Sequence, residues 1–129
     1  MDVFVYGTLT NPERVATVVD SYAFVGPARL HGLHLVEGRY PTLAPGGEAA
    51  GRLLRTDEVD RIDDYEGVDD GLYVRVSVPR TDGGTAAVYV GDPERLDADA
   101  TWPGEGPFAT RVRDFLTQLE VAVEPVVDR

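Results

Sequence analysis

Cysteine and lysine are both missing from the 129 residues, and histidine and serine occur only twice each. Without cysteine there can be no disulfide, no thiolate metal site and no cysteine nucleophile. His31 and His34 are the only imidazoles, and in an extended segment their spacing points them to opposite faces, so a metal site is not expected. Ser21 and Ser77 stand in no nucleophile-elbow context, which argues against a Ser-His-Asp hydrolase. No Gly-x-Gly-x-x-Gly or phosphate-binding loop is present, and the glycines of "PGGEAAG" read as turn formers. No apolar run approaches the ~20 residues of a membrane helix, and "MDVFVYG" has no basic segment before an apolar stretch. The expectation is one domain over residues 1–129, cytoplasmic, with no membrane partner.

What is present is acid. Twenty-three Asp and Glu face twelve basic residues, all arginine, for a formal charge of −11. Nucleic acid is a poor partner for such a chain, because phosphate binding needs a basic footprint. An acidic, lysine-free composition fits adaptation to high salt, where screening weakens self-repulsion. An arginine-rich proteome with an acidic bias explains the same numbers more plainly.

Along the chain, "VFVYG" reads as a buried strand ending at a glycine turn. Asn11 and Pro12 are a capping side chain followed by proline at the first helical position. "YAFVGPARLHGLHLV" reads as two short extended pieces broken at Gly26-Pro27 and Gly32, and "EGRYPTLAPGGEAAG" as a loop closing into a strand "GRLLR". Thr56 is placed to cap a short helix ending near Glu66, with Gly67 free to take the left-handed closing conformation. "LYVRVSV" alternates, with Leu72, Val74, Val76 and Val78 on one face, and "TDGG" turns it into a second strand, "TAAVYVG". "PFATRVRDFLTQLE" carries Val112, Phe115, Leu116 and Leu119 at helical spacing. The tail "VAVEPVVDR" is open between a strand and an extended arm. About six strands with two or three helices result, joined mainly by hairpins. That is an α+β fold with a mixed, mostly antiparallel sheet able to close into a small barrel.

Two stretches could carry chemistry. In "IDDYEGVDDGLYVRVSV" five of the eight residues from 63 to 70 are acidic, and Glu66 falls at a helix end. The negative end of the helix dipole and four nearby aspartates both disfavour its ionised form, as would burial. A glutamate raised in this way suits general acid/base work near neutrality, though a solvated charge on an acidic surface explains it as simply. In "YGTL", residues 6–9, a strand ends at a glycine just before a helix, which is a ready site for a carboxylate. Tyr6, Tyr73 and Tyr89 each alternate with valines, so converging faces would give an aromatic-lined pocket; half-buried tyrosines are the plainer explanation.

Together, "VFVYGTL", "IDDYEGVDDGLYVRVSV" and "AAVYV", in this order across residues 3–91, resemble the gamma-glutamylcyclotransferase-like (AIG2-like) family. In length the chain is most similar to the gamma-glutamylamine cyclotransferase branch. The resemblance implies a small mixed barrel flanked by helices. It implies that the backbone of Tyr6, Gly7, Thr8 and Leu9 cradles a gamma-glutamyl group, that Glu66 is the catalytic acid/base, and that Tyr73 and Tyr89 line the pocket. Arg75, on the face of Tyr73 by alternation, is a candidate for stabilising negative charge. The implied reaction is intramolecular, releasing 5-oxoproline and a free amine or amino acid, with no metal or cofactor. A binding module using the same pocket without turnover, or an acidic interaction protein with a filled barrel, are the competing functions. The leaving amine and the oligomeric state are not encoded legibly.

Overall fold

The computed structural model describes residues 1–126. Six strands form one sheet in the order β4-β5-β1-β3-β2-β6. They are β1 (Asp2–Val5), β2 (Ala23–Val36), β3 (Thr42–Arg55), β4 (Tyr73–Pro79), β5 (Thr85–Gly91) and β6 (Ala122–Pro125). Only β1 and β5 run parallel; the other four pairings are antiparallel. The sheet curls until its two edges touch at one end, where Arg80, just past β4, bridges Val123 of β6. The Thr81 N–H donates to the Val123 carbonyl at 2.9 Å. The result is a curled half-barrel with short helices, as the alternation and turn signals imply.

Period-2 alternation divides the apolar residues between the two faces. Phe4, Leu53, Val76, Val88 and Val90 pack with Trp102, Val112 and Phe115 on one side. Val3, Val5, Leu54, Ala87 and Tyr89 pack with Val15, Val19 and Ile62 on the other. The first side is covered by α4 (Phe108–Gln118), the second by α1 (Pro12–Val18) and α2 (Val59–Glu66). A fourth short helix, α3 (Pro93–Leu96), seats Leu96 in the second cluster.

Several local signals are realised as the sequence implies. The Asn11 side chain accepts from the Glu13 N–H, with Pro12 at the first helical position. Gly67 closes α2 at φ 67° and ψ 37°, a left-handed conformation that favours glycine. Arg80 and Gly84 close the hairpin between β4 and β5.

Other expectations need correction. The stretch 22–36 is not two pieces but a single strand of 14 residues, and the supposed glycine- and proline-rich loop is most of a partner strand of equal length. Gly26 and Gly32 mark register shifts, and Gly46-Gly47 lie opposite the second shift rather than forming a turn. Bulges absorb residues that cannot keep the ladder, so glycine bends these strands without ending them. The true hairpin loop is residues 37–41. Thr56 does not cap α2. Its hydroxyl accepts from the Glu58 N–H, and the helix begins at Val59. Leu72 falls before β4 and packs with the second cluster, away from Val74, Val76 and Val78. Leu119 lies beyond α4 and is exposed. In the tail, residues 122–125 form β6; residues 127–129 lie outside the described residues.

Candidate active site

β1 runs from the closed end of the sheet to the open end, where it delivers Tyr6 and then turns. The turn is a single 3-10 turn, Thr8–Thr10, and α1 starts at Pro12, as Asn11 and Pro12 imply. The Thr10 and Asn11 N–H groups are used internally, donating to Gly7 and Thr8. Among the described residues, the N–H groups of Gly7, Thr8 and Leu9 find no acceptor within the chain. The first N–H groups of a helical turn are orphaned by geometry, and buried ones must be satisfied by water or ligand.

These three residues border a cavity of about 370 Å³, a size typical of small-molecule sites. Tyr6, Tyr73, Tyr89 and Glu66 line it as well. The structure therefore brings together every candidate residue except Arg75. The tyrosines do not share a sheet face: Tyr73 and Tyr89 belong to the second cluster, whereas Tyr6 packs beside Phe4 against the first. They meet at the cavity from just past the end of β1, from the start of β4 and from within β5.

Each hydroxyl is tied down. Tyr6 donates to the Tyr89 carbonyl at 2.5 Å, and Tyr73 to the Pro41 carbonyl at 2.6 Å. Tyr89 donates to Asp63 Oδ1 at 2.6 Å. Burial first, and then the nearby Glu66 charge, raise the Tyr73 hydroxyl far above its ordinary value; burial and the bond to Asp63 do so for Tyr89. All three remain neutral donors across the physiological range. Thr42, fully buried, braces the neighbouring backbone by accepting from the Gly91 N–H at 2.8 Å. Gly91 has no room for a side chain there, since an added Cβ would stand 2.3 Å from Leu96.

Glu66 is different in kind. It is half-buried in the cavity wall, and among the described residues its carboxylate has neither a hydrogen-bond donor nor an ion-pair partner. Burial pushes its carboxyl from an ordinary 4.5 up to about 7. The direction agrees with the sequence argument, and of the causes given there burial is the one that acts. Asp64, Asp69 and Asp70 are exposed to water, and Asp63 is paired elsewhere, so removal from solvent carries the effect.

Arg75 stands outside the cavity lining. Its Nη1 lies 3.0 Å from Asp63 Oδ2, at an angle that does not complete a hydrogen bond. Alternation along β4 correctly placed Arg75 on the side of Tyr73, yet the strand carries it past the pocket and beneath α2. Besides the apolar Phe4, Val5 and Leu72, four cavity residues had been overlooked. Tyr40 and Pro41 come from the β2–β3 hairpin loop, Arg14 from α1, and Tyr65 from the turn of α2 that carries Glu66. Tyr65 and Thr8 pair through their hydroxyls at 2.7 Å across the mouth. Only Tyr65, next to Glu66 in "DYEG", had a signal in the sequence. Apart from Glu66, Arg14 is the one carboxylate, arginine or histidine in the lining, and it has no ion pair among the described residues. His31 and His34 are not in the lining.

Comparison with known proteins follows the geometry. The model of the gamma-glutamyl cyclotransferase, AIG2-like family matches residues 3–106, and the chain belongs to that family. A solution structure from Arabidopsis thaliana is 28% identical, with a TM-score of 0.58, over 91% of this chain and 83% of that one. A human protein described as uncharacterized is 19% identical, TM-score 0.60, over 88% of this chain and 96% of its own. A solved structure described as a gamma-glutamyl cyclotransferase is 18% identical, TM-score 0.56, over 92% and 98%. At these identities the last two show the fold alone. No curated protein sequence matches the chain. No helix of the described residues is long and apolar enough to cross a membrane.

Proposed function

We propose that this protein is a cyclotransferase that releases 5-oxoproline and a free amine or amino acid from a gamma-glutamyl substrate. The observation that carries this reading is the unpaired, half-buried Glu66 lining one cavity together with Gly7, Thr8 and Leu9, whose backbone N–H groups have no acceptor among the described residues. An acid raised toward neutrality by burial is suited to exchange protons there.

The substrate brings its own nucleophile. Ionised Glu66 accepts a proton from the alpha-ammonium, and the freed amine attacks the gamma-carbonyl carbon, forming the ring C–N bond. The carbonyl electron pair moves onto oxygen. Glu66 then returns its proton to the departing nitrogen as the original C–N bond breaks and the carbonyl reforms; the carboxylate so restored takes the second proton from the ring nitrogen and passes it to the released amine, which leaves as an ammonium. Intramolecular attack of a well-held chain is worth roughly 7–11 kcal/mol of barrier, so the protein need only fold the substrate and relay its protons from the attacking to the leaving nitrogen. The Gly7, Thr8 and Leu9 N–H groups supply donors to an oxygen anion, and the neutral tyrosines shape the pocket without competing for the proton. Arg14, at the exposed rim, offers the cation for a carboxylate of the substrate.

The test is 5-oxoproline release from a panel of gamma-glutamyl amines and amino acids, at low and high salt, by wild type and Glu66→Gln. Turnover by wild type with a loss of ~10²-fold or more in the variant is expected. Equal activity in both proteins would remove Glu66 from the reaction. Activity that persists undiminished in dilute buffer would count against salt adaptation.

A further inference from the structure

The strongest feature outside the cavity lies directly behind Glu66. Asp63 sits one helical turn before it, so the two side chains share a side of α2. Its two oxygens are engaged by two different strands. Oδ1 accepts from Tyr89 of β5, and Oδ2 lies against Arg75 of β4. Tyr89 and Arg75 are themselves opposite one another in the β4–β5 ladder. One carboxylate therefore fastens α2 to a fixed pair of neighbouring side chains on the sheet. The Asp63 main chain contributes too: its carbonyl accepts from the Val68 N–H at 3.0 Å as the helix closes at Gly67.

The helix needs such a fastening. It has eight residues, and helices this short are marginal alone. Ile62 is its only fully buried side chain. Its last turn holds Asp63, Asp64 and Glu66 with no basic residue, which opposes the helix dipole. Arg75 supplies the opposite charge from the sheet. Through Tyr89, whose carbonyl accepts from Tyr6, the same contact reaches the strand leading into the free N–H groups. Both halves of the site are thus referred to one residue of β5.

We infer that Asp63 is a positioning residue: held by Tyr89 and Arg75, it fixes the last turn of α2 so that Glu66 stays over the cavity. This gives Arg75 a role that does not require it to touch substrate. The inference rests on the catalytic reading of Glu66. A misplacement of about 1 Å in a proton-transfer group costs on the order of 10²-fold, so the clamp has room for a large effect.

Two measurements separate this inference from the reading beneath it. The first is a double-mutant cycle of Asp63→Ala and Glu66→Gln. Asp63→Ala alone is expected to lower kcat by ~10–10²-fold with KM changed less than about threefold, and to add nothing in the Glu66→Gln background. A KM effect with unchanged kcat, or an equal loss in both backgrounds, would overturn the inference. Asp63→Asn, which retains an oxygen for Tyr89, should recover part of kcat. The second is amide exchange in wild type and Asp63→Ala, which needs no turnover. Exchange at Gly67 and Val68 should quicken by roughly tenfold, while amides of β5 stay protected. Unchanged exchange at those two positions overturns the clamp even if the protein is an active cyclotransferase. Quickened exchange with no 5-oxoproline from any substrate overturns the cyclotransferase reading and, because it leaves Glu66 without a reaction to serve, this inference with it.

Discussion

Asp2 and Glu66 stand at opposite ends of the same sheet and have met opposite fates. Asp2, at the closed end, is buried with Arg55 at 2.8 Å from its Oδ1 and with Arg80 on its Oδ2. The Arg55 hydrogen bond, outweighing the cost of burial, holds its carboxyl below the usual carboxylate range. Glu66, at the open end, has no ion-pair partner among the described residues, and loss of water alone raises it to about 7. Charge count does not distinguish the two sites, since both lie in a chain of net charge −11. Partnering does. The arginines are spent where the barrel must be held shut, and the cavity keeps a lone acid.

Giving Glu66 a partner would break the contrast most severely. Leu72 lines the cavity and packs against Gly67 at the end of α2. Leu72→Arg should lower the Glu66 pKa by about 1–3 units and reduce turnover by on the order of 10²-fold, whereas Leu72→Met should stay within a few-fold. The pH profile is the check. On the proposed mechanism the active form of free enzyme is the Glu66 carboxylate, so kcat/KM should rise about tenfold per pH unit and level off above about 7. In Leu72→Arg that limb should move to lower pH, and a limb that does not move would mean another group titrates.

Stability should show the same contrast with opposite signs. An acid whose folded pKa is raised binds more protons when folded, so stability falls as pH rises from 4.5 to about 7 and stays lower above it. Relative to Glu66→Gln, wild type should lose on the order of 2 kcal/mol between pH 4.5 and 8, measured by denaturant unfolding. Asp2 behaves inversely. Its depressed pKa contributes stability at neutral pH that disappears as pH falls through its folded pKa. Asp2→Asn should cost about 1–2 kcal/mol at pH 7, less than a fully buried pair because Arg55 is largely in water, and almost nothing once wild-type Asp2 is protonated.

The smallest effect concerns the rim. Arg14→Gln should raise KM for substrates bearing a second carboxylate by a few-fold, about 0.5–1 kcal/mol, and leave the pH limb of Glu66 in place. A change in the limb would mean that Arg14 reaches Glu66 after all.

Much of this molecule is local and could be read from the chain. Asn11-Pro12 starts a helix because a side-chain oxygen and a preset φ solve the problem of the first turn within three residues. Gly67 ends one because the left-handed region costs glycine nothing. The alternation of β4, the Asp82-Gly83-Gly84 turn and the spacing of Val112 and Phe115 likewise need no distant partner. The short stretches "YGTL" and "DYEG" stand out as candidates for the same reason, and their resemblance to a family joins them.

Tertiary structure decided the rest, because pairing is a property of residues far apart in sequence. Thr42–Arg55 is a strand only because β1 and β2 flank it; alone, its glycines and proline favour a loop. That pairing puts the hairpin loop at residues 37–41 and brings Tyr40 and Pro41 to the cavity. The roles of the clustered acids were equally hidden. Asp63 and Glu66 look alike in the sequence, but Tyr89 lies 26 residues from Asp63 along the chain, and only the folded sheet brings it and Arg75 under that side chain. The sequence could supply the acids. Which one keeps a partner, and which is left without one, depends on burial and on cations that only folding brings near.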